Sequence, residues 1–350
     1  MLEEIVTPLV KWYRENKRIL PWRDKGNAYY TWVSEIMLQQ TRVEAVKPYF
    51  ERFITELPDV ESLADCPQEK LLKLWEGLGY YNRVRNMQEA AQTVKKEYNG
   101  RLPEDYQALL SLKGIGSYTA GAIASIAYGI NVPAVDGNVL RVISRITESA
   151  EDISRQAVRK KIEQQLQEIM PEECPGDFNQ ALMELGAVVC IPNGKAKCGE
   201  CPVASVCLAY RHDKVDSLPV KAPKKARMLE DRTVFIIQDG ECTAIRKRPE
   251  KGLLAGLYEL PNIQGHLKRE EALLYVEKMG LDPLYIEKLP PAKHIFSHIE
   301  WHMKGYVIEL SPSGKQPELL FASLEEVENT YSLPTAFREY RNKLINFDKK

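Results

Sequence analysis

The sequence has no long apolar run, no continuous apolar segment near its start and no internal repeat. None of its apolar stretches approaches the roughly 20 residues that a helix needs to cross a bilayer, so we expect no membrane association. The chain begins with MLEEIVTPLVKWYRENK, which lacks the apolar core of a secretion signal. We therefore expect a cytoplasmic protein.

An excess of charge of one sign is also absent. The 48 Lys and Arg residues are balanced by 49 Asp and Glu residues, which gives a formal net charge of −1. This balance does not point to a polyanionic partner, but it does not exclude one, because a local basic face is enough to bind phosphates. Any indication of such a partner must come from motifs.

The length of 350 residues is sufficient for two or three domains. Up to about residue 210, β-branched alternation is largely missing and apolar residues recur at helical intervals, which predicts an all-α region. The helical patterns cover 31–57, 67–76, 83–98, 116–129, 138–148, 154–170 and 177–189. Pro and Gly residues separate these segments.

The pattern changes near residue 218. Residues 218–227 contain two prolines and four basic residues, which is typical of an extended linker. Beyond them, the sequence predicts strands at 233–237, 242–245 and 301–310 and helices at 268–279 and 334–344, which together form a small α+β domain. The expected organisation is therefore an all-α region at 1–217, a linker at 218–231 and an α+β domain at 232–350.

Four of the seven cysteines lie within eighteen residues, as Cys190, Cys198, Cys201 and Cys207. Such crowding in a chain without a secretion signal indicates a metal site rather than disulfides. Zinc is one possibility, but structural zinc sites usually show two separate Cys-x2-Cys pairs, and here there is one. Four thiolates in a single loop favour a [4Fe–4S] cluster, since each iron takes one thiolate.

A Gly-Ile-Gly hairpin joins two helical patterns between Leu112 and Gly121. Gly114 and Gly116 permit positive φ angles, and the next helix is predicted to begin at about Ser117. The free backbone N–H groups of a helix start can bind a phosphate, but the motif alone is more typical of a plain helix–helix turn.

Two carboxylates have contrasting settings. Asp136 precedes a predicted helix, where it would act as the N-cap and be kept ionised by the helix dipole. Glu35 lies among Thr31, Trp32 and Leu38 in a helical pattern, so burial would raise its pKa. One proton-carrying and one ionised carboxyl group are the pair that glycosidic cleavage uses, although a surface glutamate and a simple cap are the alternatives.

With these residues in place, nearly the whole chain resembles the helix–hairpin–helix DNA glycosylases of the endonuclease III type, and within them the MutY-type adenine glycosylases. The matching motifs are Leu20-Pro-Trp-Arg23, Trp32 to Thr41, Glu76 to Tyr81, Arg83-x-Arg-Asn86, Leu112 to Gly121, Val135 to Val139, Phe178 to Leu182 and the four cysteines. One departure is the interval between Cys190 and Cys198, which has seven residues instead of the family's usual six.

The resemblance implies a role for each site residue. Glu35 would protonate the adenine at N7, Asp136 would stabilise the sugar cation, and Tyr118 and Asn138 would help to position it and the attacking water. The residues implied to line the pocket for the flipped adenine are Trp22, Arg23, Leu38, Val43 and Gln180. Those implied to contact DNA are Gln40, Thr41, Leu78, Tyr80, Gly114 and Gly116, with Gln40 and Tyr80 entering the base stack. The four cysteines would hold a [4Fe–4S] cluster.

The residue at position 118 separates two subfamilies. Enzymes of the endonuclease III type that also cleave the strand carry a lysine there, which forms a Schiff base with the sugar, whereas this chain has a tyrosine. The resemblance therefore implies base excision without strand cleavage. Two alternatives remain open: a glycosylase for pyrimidine lesions, and a non-catalytic iron–sulfur protein that binds DNA.

In the family, the C-terminal domain resembles a Nudix hydrolase and inspects the oxidised guanine opposite the adenine. The segment Phe296-Ser297-His298 matches the lesion-reading loop, and Arg269-Glu270-Glu271 is only a fragment of the acidic Nudix box. We therefore expect a Nudix-like domain for recognition, not hydrolysis. The alternation from Ile299 to Lys304 predicts a strand, so metal binding by His294, His298 and His302 is not expected. The expected partner is duplex DNA with 8-oxoguanine:adenine mispairs, bound by a monomer in the bacterial nucleoid.

Overall fold

A computed structural model describes residues 2–23, 26–192, 194–223, 226–311 and 318–347. The chain divides into two compact units: Met1–Asp65 with Asn82–Pro223, and Cys66–Tyr81 with Lys224–Lys350. Within the described ranges, no helix is both long enough and apolar enough to span a membrane.

In the described part of residues 1–211, the regular structure is helical and no strand is found, as the sequence predicts. The helices are α1 (Val6–Asn16), α2 (Ala28–Leu38), α3 (Val43–Glu56), α4 (Val60–Asp65), α5 (Gln68–Leu74), α6 (Asn82–Glu97), α7 (Tyr106–Ser111), α8 (Ser117–Tyr128), α9 (Gly137–Ile146), α10 (Gln156–Ile169), α11 (Pro175–Val188) and α12 (Leu208–Arg211). All of them except α5 belong to the first unit. The helical pattern over 31–57 proves to be two helices, because the chain turns between Leu38 and Val43, where Gln40 has φ 64°.

One core of the first unit is apolar and joins α1, α9, α10 and α11. Helix α9 contributes five residues to this core, which are Val139, Leu140, Val142, Ile143 and Ile146. Leu218 packs against this core, and the N–H of Ile153 donates to the carbonyl of Val220 at 3.1 Å. The first part of the predicted linker is therefore bound to the helical unit.

The second unit contains a mixed sheet and flanking helices, which confirms the α+β prediction. Its strands are β1 (Met228–Asp239), β2 (Cys242–Lys247), β3 (Tyr258–Glu259), β4 (Asn262–Gln264), β5 (Pro283–Ile295), β6 (Ile299–Leu310) and β7 (Leu320–Ser323), and its further helices are α13 (Arg269–Lys278), α14 (Leu324–Asn329) and α15 (Arg338–Phe347). The sheet order is β3-β2-β1-β6-β5, with β4 on β1 and β7 on β2. Strands β1 and β6 are parallel.

One predicted boundary in this unit needs correction, and one long strand is missing from the prediction. Strand β1 begins at Met228, so residues 228–231 are strand and not linker. Strand β5 was not predicted, because its exposed residues greatly outnumber its buried ones and leave no apolar alternation to detect. In contrast, β6 alternates between buried and partly exposed residues from Ile299 to Lys304, as expected.

The two faces of the sheet carry different cores. Val234 and Ile236 of β1 pack on one side with Tyr340 of α15, while Phe235 and Ile237 pack on the other side with Val276 of α13. This division follows from the period of two in a strand. Arg269, Glu270 and Glu271 are exposed at the start of α13, as predicted for the fragment of the Nudix box.

Candidate active site

The first unit contains a large cavity of about 1170 Å³, bordered by α2, α8, α9, α11 and the segment that precedes α2. The four predicted catalytic residues, Glu35, Tyr118, Asp136 and Asn138, all line it. They come from three different helices and from the cap of one of them, so the fold brings together residues that are about a hundred positions apart. The cavity is therefore the candidate active site.

Glu35 lies near the end of α2 and is only 6% exposed. The hydroxyl of Tyr118 donates a hydrogen bond to its Oε2 atom. Burial raises the pKa of Glu35 to about 7, the charge of Asp136 also raises it, and the Tyr118 hydrogen bond and the Arg23 charge lower it. The carboxyl group is therefore able to hold a proton at neutral pH, as the sequence predicts.

Asp136 is the N-cap of α9, as predicted. Its Oδ1 atom accepts from the backbone N–H groups of Asn138 and Val139, both at 2.8 Å, and its Oδ2 atom accepts from Nδ2 of Asn138 at 2.8 Å. Burial raises the pKa of Asp136, while these hydrogen bonds and the charge of Arg141 lower it. Burial has the larger effect, so the net direction of the pKa is upward.

Tyr118 approaches both carboxylates because α8 packs very closely on the chain before Asp136. A Cβ atom on Gly121 would lie 2.3 Å from the carbonyl oxygen of Pro133, so only glycine fits there. Burial raises the pKa of Tyr118 well above its usual value, and the charges of Glu35 and Asp136 act in the same direction. The phenol therefore stays protonated and remains a hydrogen-bond donor.

The five predicted pocket residues line the same cavity. They are Trp22, Arg23, Leu38, Val43 and Gln180. Trp22 is fixed by an edge contact with Phe50, with ring centroids 5.2 Å apart. Arg18 and Glu184 also line the cavity, although no sequence motif indicated them. The available signal was an isolated acidic residue in the apolar sequence of α11, four positions after Gln180.

Arg141 connects the active site to the cysteine loop. Its Nη2 atom donates to Oδ1 of Asn138 at 2.9 Å and to the carbonyl of Gly186 at 2.7 Å, and its Nε atom donates to the carbonyl of Cys190 at 2.8 Å. A Cβ atom on Gly186 would come within 2.6 Å of Cβ of Asn138, so the close approach of α11 to α9 requires glycine. The start of α9 is therefore fixed both by its close packing on α11 and by the hydrogen bonds of Arg141.

The four predicted cluster cysteines line one small cavity, whose other walls are mainly apolar. Nη1 of Arg145 lies 3.2 Å from Sγ of Cys190 and donates to it. None of these cysteines forms a disulfide. In the described part of the chain, no three His, Cys, Asp or Glu side chains are grouped to hold a metal ion. In a cubane cluster each thiolate binds a different iron, so its sulfur atoms stand further apart than the ligands of one ion.

The glycine hairpin has the predicted form, with one difference. Gly114 has φ 77°, and a Cβ atom there would lie 2.7 Å from Cβ of Asn86. Gly116 has φ −95°, an extended conformation, and forms the N-cap of α8, which begins at Ser117. Gly116 therefore does not use a positive φ angle, and its role is to leave the first N–H groups of α8 uncovered by a side chain.

The other predicted DNA contacts differ in exposure. Gln40 is exposed and has φ 64°, and Thr41 next to it is half-buried. In the second unit, Tyr80 has φ 48° and is 48% exposed, whereas Leu78 is buried. The side chain of Leu78 is therefore shielded from solvent, and a DNA contact of this residue would involve its backbone.

Phe296, Ser297 and His298 form the turn between β5 and β6. The N–H of Phe296 donates to the carbonyl of Ile299 at 2.8 Å, and the Phe296 ring packs edge-on against Trp301, with centroids 4.9 Å apart. Ser297 and His298 are exposed. The turn thus exposes two polar side chains, while its Phe296 ring is packed against Trp301.

Comparisons with known proteins agree with this architecture. Residues 33–170 match the model of the HhH-GPD superfamily of base excision DNA repair proteins, and residues 233–343 match a NUDIX domain. A thermostable thymine-DNA glycosylase has a similar structure, with a TM-score of 0.54 and 27% identity, over 60% of this chain and 97% of its own. A trapped endonuclease III–DNA intermediate shares the fold, with a TM-score of 0.52 and 23% identity, over 61% of this chain and 96% of its own.

Similarity to curated proteins extends over most of the chain. An adenine DNA glycosylase of Buchnera aphidicola is 35% identical over 89% of this chain and 88% of its own length. The adenine DNA glycosylase of Mus musculus is 34% identical over 88% of this chain and 72% of its own length. The resemblance inferred from the motifs is thus confirmed. The chain belongs to the family of adenine DNA glycosylases and is a DNA glycosylase, a hydrolase of N-glycosyl bonds.

Proposed function

We propose that the protein removes adenine paired with 8-oxoguanine from duplex DNA by hydrolysis and leaves the strand intact. The observation that carries this proposal is the buried Glu35, with a pKa of about 7, in the same cavity as Asp136. A protonated acid beside a hydrogen-bonded carboxylate is suited to expel a base and to face the positive sugar that remains.

The proposed reaction begins with the flipped adenine in the cavity. Glu35 gives its proton to N7 of the base, the bond between the base and C1′ breaks, and the bonding electron pair leaves with the adenine. The carboxylate of Asp136 stabilises the resulting sugar cation. Water adds to C1′ and loses a proton to the ionised Glu35, which restores the acid. Asn138 and Tyr118 position these groups through their hydrogen bonds to Asp136 and Glu35.

Tyr118 also determines what the protein does not do. A phenol has no amine nitrogen, so it cannot form a Schiff base with the sugar. The sugar cation is therefore captured by water, and the product is an abasic site in an unbroken strand. This distinguishes the proposed reaction from that of glycosylases that cleave the strand.

The remaining predicted residues are assigned to recognition. Trp22, Arg23, Leu38, Val43 and Gln180 would surround the adenine. Gln40 and Tyr80 would fill the gap in the base stack, with Thr41 and Leu78 in the loops that carry them, and Gly114 and Gly116 would expose backbone N–H groups to a phosphate. Phe296, Ser297 and His298 would read the oxidised guanine. We propose that the protein acts as a monomer in the cytoplasm, on the DNA.

The cysteine loop fits a [4Fe–4S] cluster, which Cys190, Cys198, Cys201 and Cys207 would hold. Four unpaired thiols around one small, mainly apolar cavity match the donor set of such a cluster. When bound, the cluster supplies a rigid link between the four cysteines. The hydrogen bonds of Arg141 and Arg145 to Cys190 would transmit that rigidity to the start of α9.

A single-turnover glycosylase assay tests the proposal. The substrates are duplexes with adenine opposite 8-oxoguanine, adenine opposite guanine, and thymine opposite guanine. We expect the fastest excision from the first duplex, none from the third, and loss of excision with retained binding in Glu35→Gln. Excision of thymine would indicate a pyrimidine glycosylase, and binding without excision by the wild type would indicate a non-catalytic DNA-binding protein.

A further inference from the structure

A buried ionic cluster forms part of the wall of the active-site cavity. Its centre is Glu184 of α11, whose side chain is only 1% exposed. Oε1 of Glu184 accepts from Nε of Arg18 at 2.6 Å, and Oε2 accepts from Nη2 of Arg18 at 3.0 Å and from Nη2 of Arg23 at 2.6 Å. One carboxylate is thus shared by two guanidinium groups.

This cluster fixes a segment that has no regular structure of its own. Residues 17–20 contain neither helix nor strand, and Arg23 lies in the turn that follows them. The backbone N–H of Arg18 also donates to Oε1 of Glu184, at 3.2 Å, and Nη1 of Arg23 donates to the carbonyl of Arg18 at 3.0 Å. The guanidinium of Arg23 lies over the ring of Tyr13, 5.5 Å from its centroid. Glu184 is therefore the contact that attaches this segment to α11.

The cluster also has an electrostatic effect on the proposed acid. The positive charge of Arg23 favours the ionised form of Glu35, and the carboxylate of Glu184 is the counter-charge to which Arg23 is bound. Although burial of Glu184 opposes ionisation, its bonds to Arg18 and Arg23 lower its pKa to about 2, so it is negatively charged at every pH at which the protein would work.

Other charged and titratable groups also face Glu35 or line its cavity. Tyr118 of α8 and Asp136 at the start of α9 interact with Glu35 directly. Arg141 of α9, Arg159 of α10 and Lys221 line the cavity as well. These groups are the same in variants of Glu184, so a change at Glu184 isolates the contribution of the cluster.

We propose that Glu184 is a positioning residue for adenine removal, which holds Arg23 in the cavity wall and balances the charge of the two arginines beside Glu35. The inference rests on the proposed role of Glu35 as the acid. Replacement of Glu184 by glutamine keeps the size of the side chain but leaves two guanidinium charges without a counter-charge. Glu35 would then lose its proton at a lower pH.

The test is the pH profile of the single-turnover rate. In Glu184→Gln we expect the fall in rate on the basic side to move to lower pH by about one unit, which corresponds to about 1.4 kcal/mol. Glu184→Asp keeps the charge and should return the profile to its wild-type position, at a lower maximum rate. Asp177→Asn is the matched control, because Asp177 lies on the same helix and pairs with the exposed Arg14.

A charge-compensating variant makes the test independent of the stability of Glu184→Gln. The double variant Glu184→Gln with Arg18→Gln removes one charge of each sign, and we expect it to restore the wild-type position of the profile. Arg18→Gln alone removes one positive charge and should move the fall to higher pH. An equal loss of rate at all pH values in Glu184→Gln, together with no shift in Arg18→Gln, would overturn the inference.

Failure of the proposed function and failure of the Glu184 inference give different results in these experiments. Full activity of Glu35→Gln, or a wild-type rate that does not fall on the basic side, would contradict Glu35 as the acid and remove the basis of the inference. Loss of activity in Glu35→Gln with unshifted profiles in the Glu184 and Arg18 variants would contradict only the role of Glu184.

Discussion

The hydroxyl of Tyr118 donates a hydrogen bond to Oε2 of Glu35, and both side chains line the same cavity. This hydrogen bond favours the ionised form of Glu35, whereas burial favours the protonated form, and burial has the larger effect. The pair therefore sets the pH range in which Glu35 holds a proton. Tyr118 in this arrangement positions the acid and does not attack the sugar.

The first prediction concerns the pH dependence of base excision. Because Glu35 must be protonated, the single-turnover rate should fall as the pH rises through about 7, the value to which burial raises its pKa. Tyr118→Phe removes the hydrogen bond that favours ionisation, so the fall should move to higher pH, by about one unit. An unchanged or downward-shifted profile in Tyr118→Phe would contradict this account of the pair.

The second prediction concerns the stability of Glu35→Gln. The pKa of Glu35 is raised from 4.5 to about 7 by folding, so folding is penalised as the pH rises from the lower value through the higher one. Each unit of pKa shift corresponds to about 1.4 kcal/mol, so above pH 7 the free energy of unfolding is lower by about 3 kcal/mol. Glutamine removes this loss, so Glu35→Gln should melt roughly 6–12 °C above the wild type at pH 8 and at a similar temperature at pH 4. Equal differences at both pH values in calorimetry would refute the assignment.

The third prediction concerns Gly121. An alanine Cβ at this position would lie 2.3 Å from the carbonyl oxygen of Pro133, which is backbone and cannot move away freely. We expect a loss of about 3 kcal/mol, and a melting temperature lower by roughly 6–12 °C. Gly137→Ala is the control, because a Cβ atom there has no neighbour within 4 Å. Similar melting temperatures for the two variants would show that α8 does not need this close packing.

The fourth prediction concerns the cysteine loop. Freshly purified protein should be coloured and contain iron and sulfide, and Cys201→Ala should lose the visible absorbance and part of its stability. Cys242→Ala should keep both, because Cys242 lies in β2 of the other unit. Colourless wild-type protein with bound zinc would replace the cluster by a zinc site.

The fifth prediction concerns the turn between β5 and β6. Replacing Phe296 and Ser297 by alanine should reduce the preference for 8-oxoguanine over guanine opposite the adenine, because these residues are assigned to reading the lesion. The ratio of single-turnover rates on the two duplexes measures this preference. Leu284→Ala is the control, since Leu284 is exposed at the opposite end of β5. Equal losses on both duplexes would instead indicate a general DNA contact.

Much of the fold could be predicted from the sequence, since helix periodicity and turn residues are local signals. The start of α8 at Ser117, the cap at Asp136 and strand β6 are found where the sequence places them. Strand β5 escaped detection because it has few buried residues, and the start of β1 because residues 228–231 read as linker. Their positions depend on pairing with β6, which is a long-range interaction.

The candidate site shows the same division. By itself, the sequence determined the residue types: two carboxyl groups with different settings, a tyrosine in place of lysine at position 118, and four cysteines in one loop. Only the tertiary structure decided that Glu35 and Tyr118 meet, and that Glu184 holds Arg18 and Arg23. The physical reason is that burial and ion pairing depend on what surrounds a side chain in space. Burial also raises the pKa of Asp136, an effect that its position as a helix cap does not indicate.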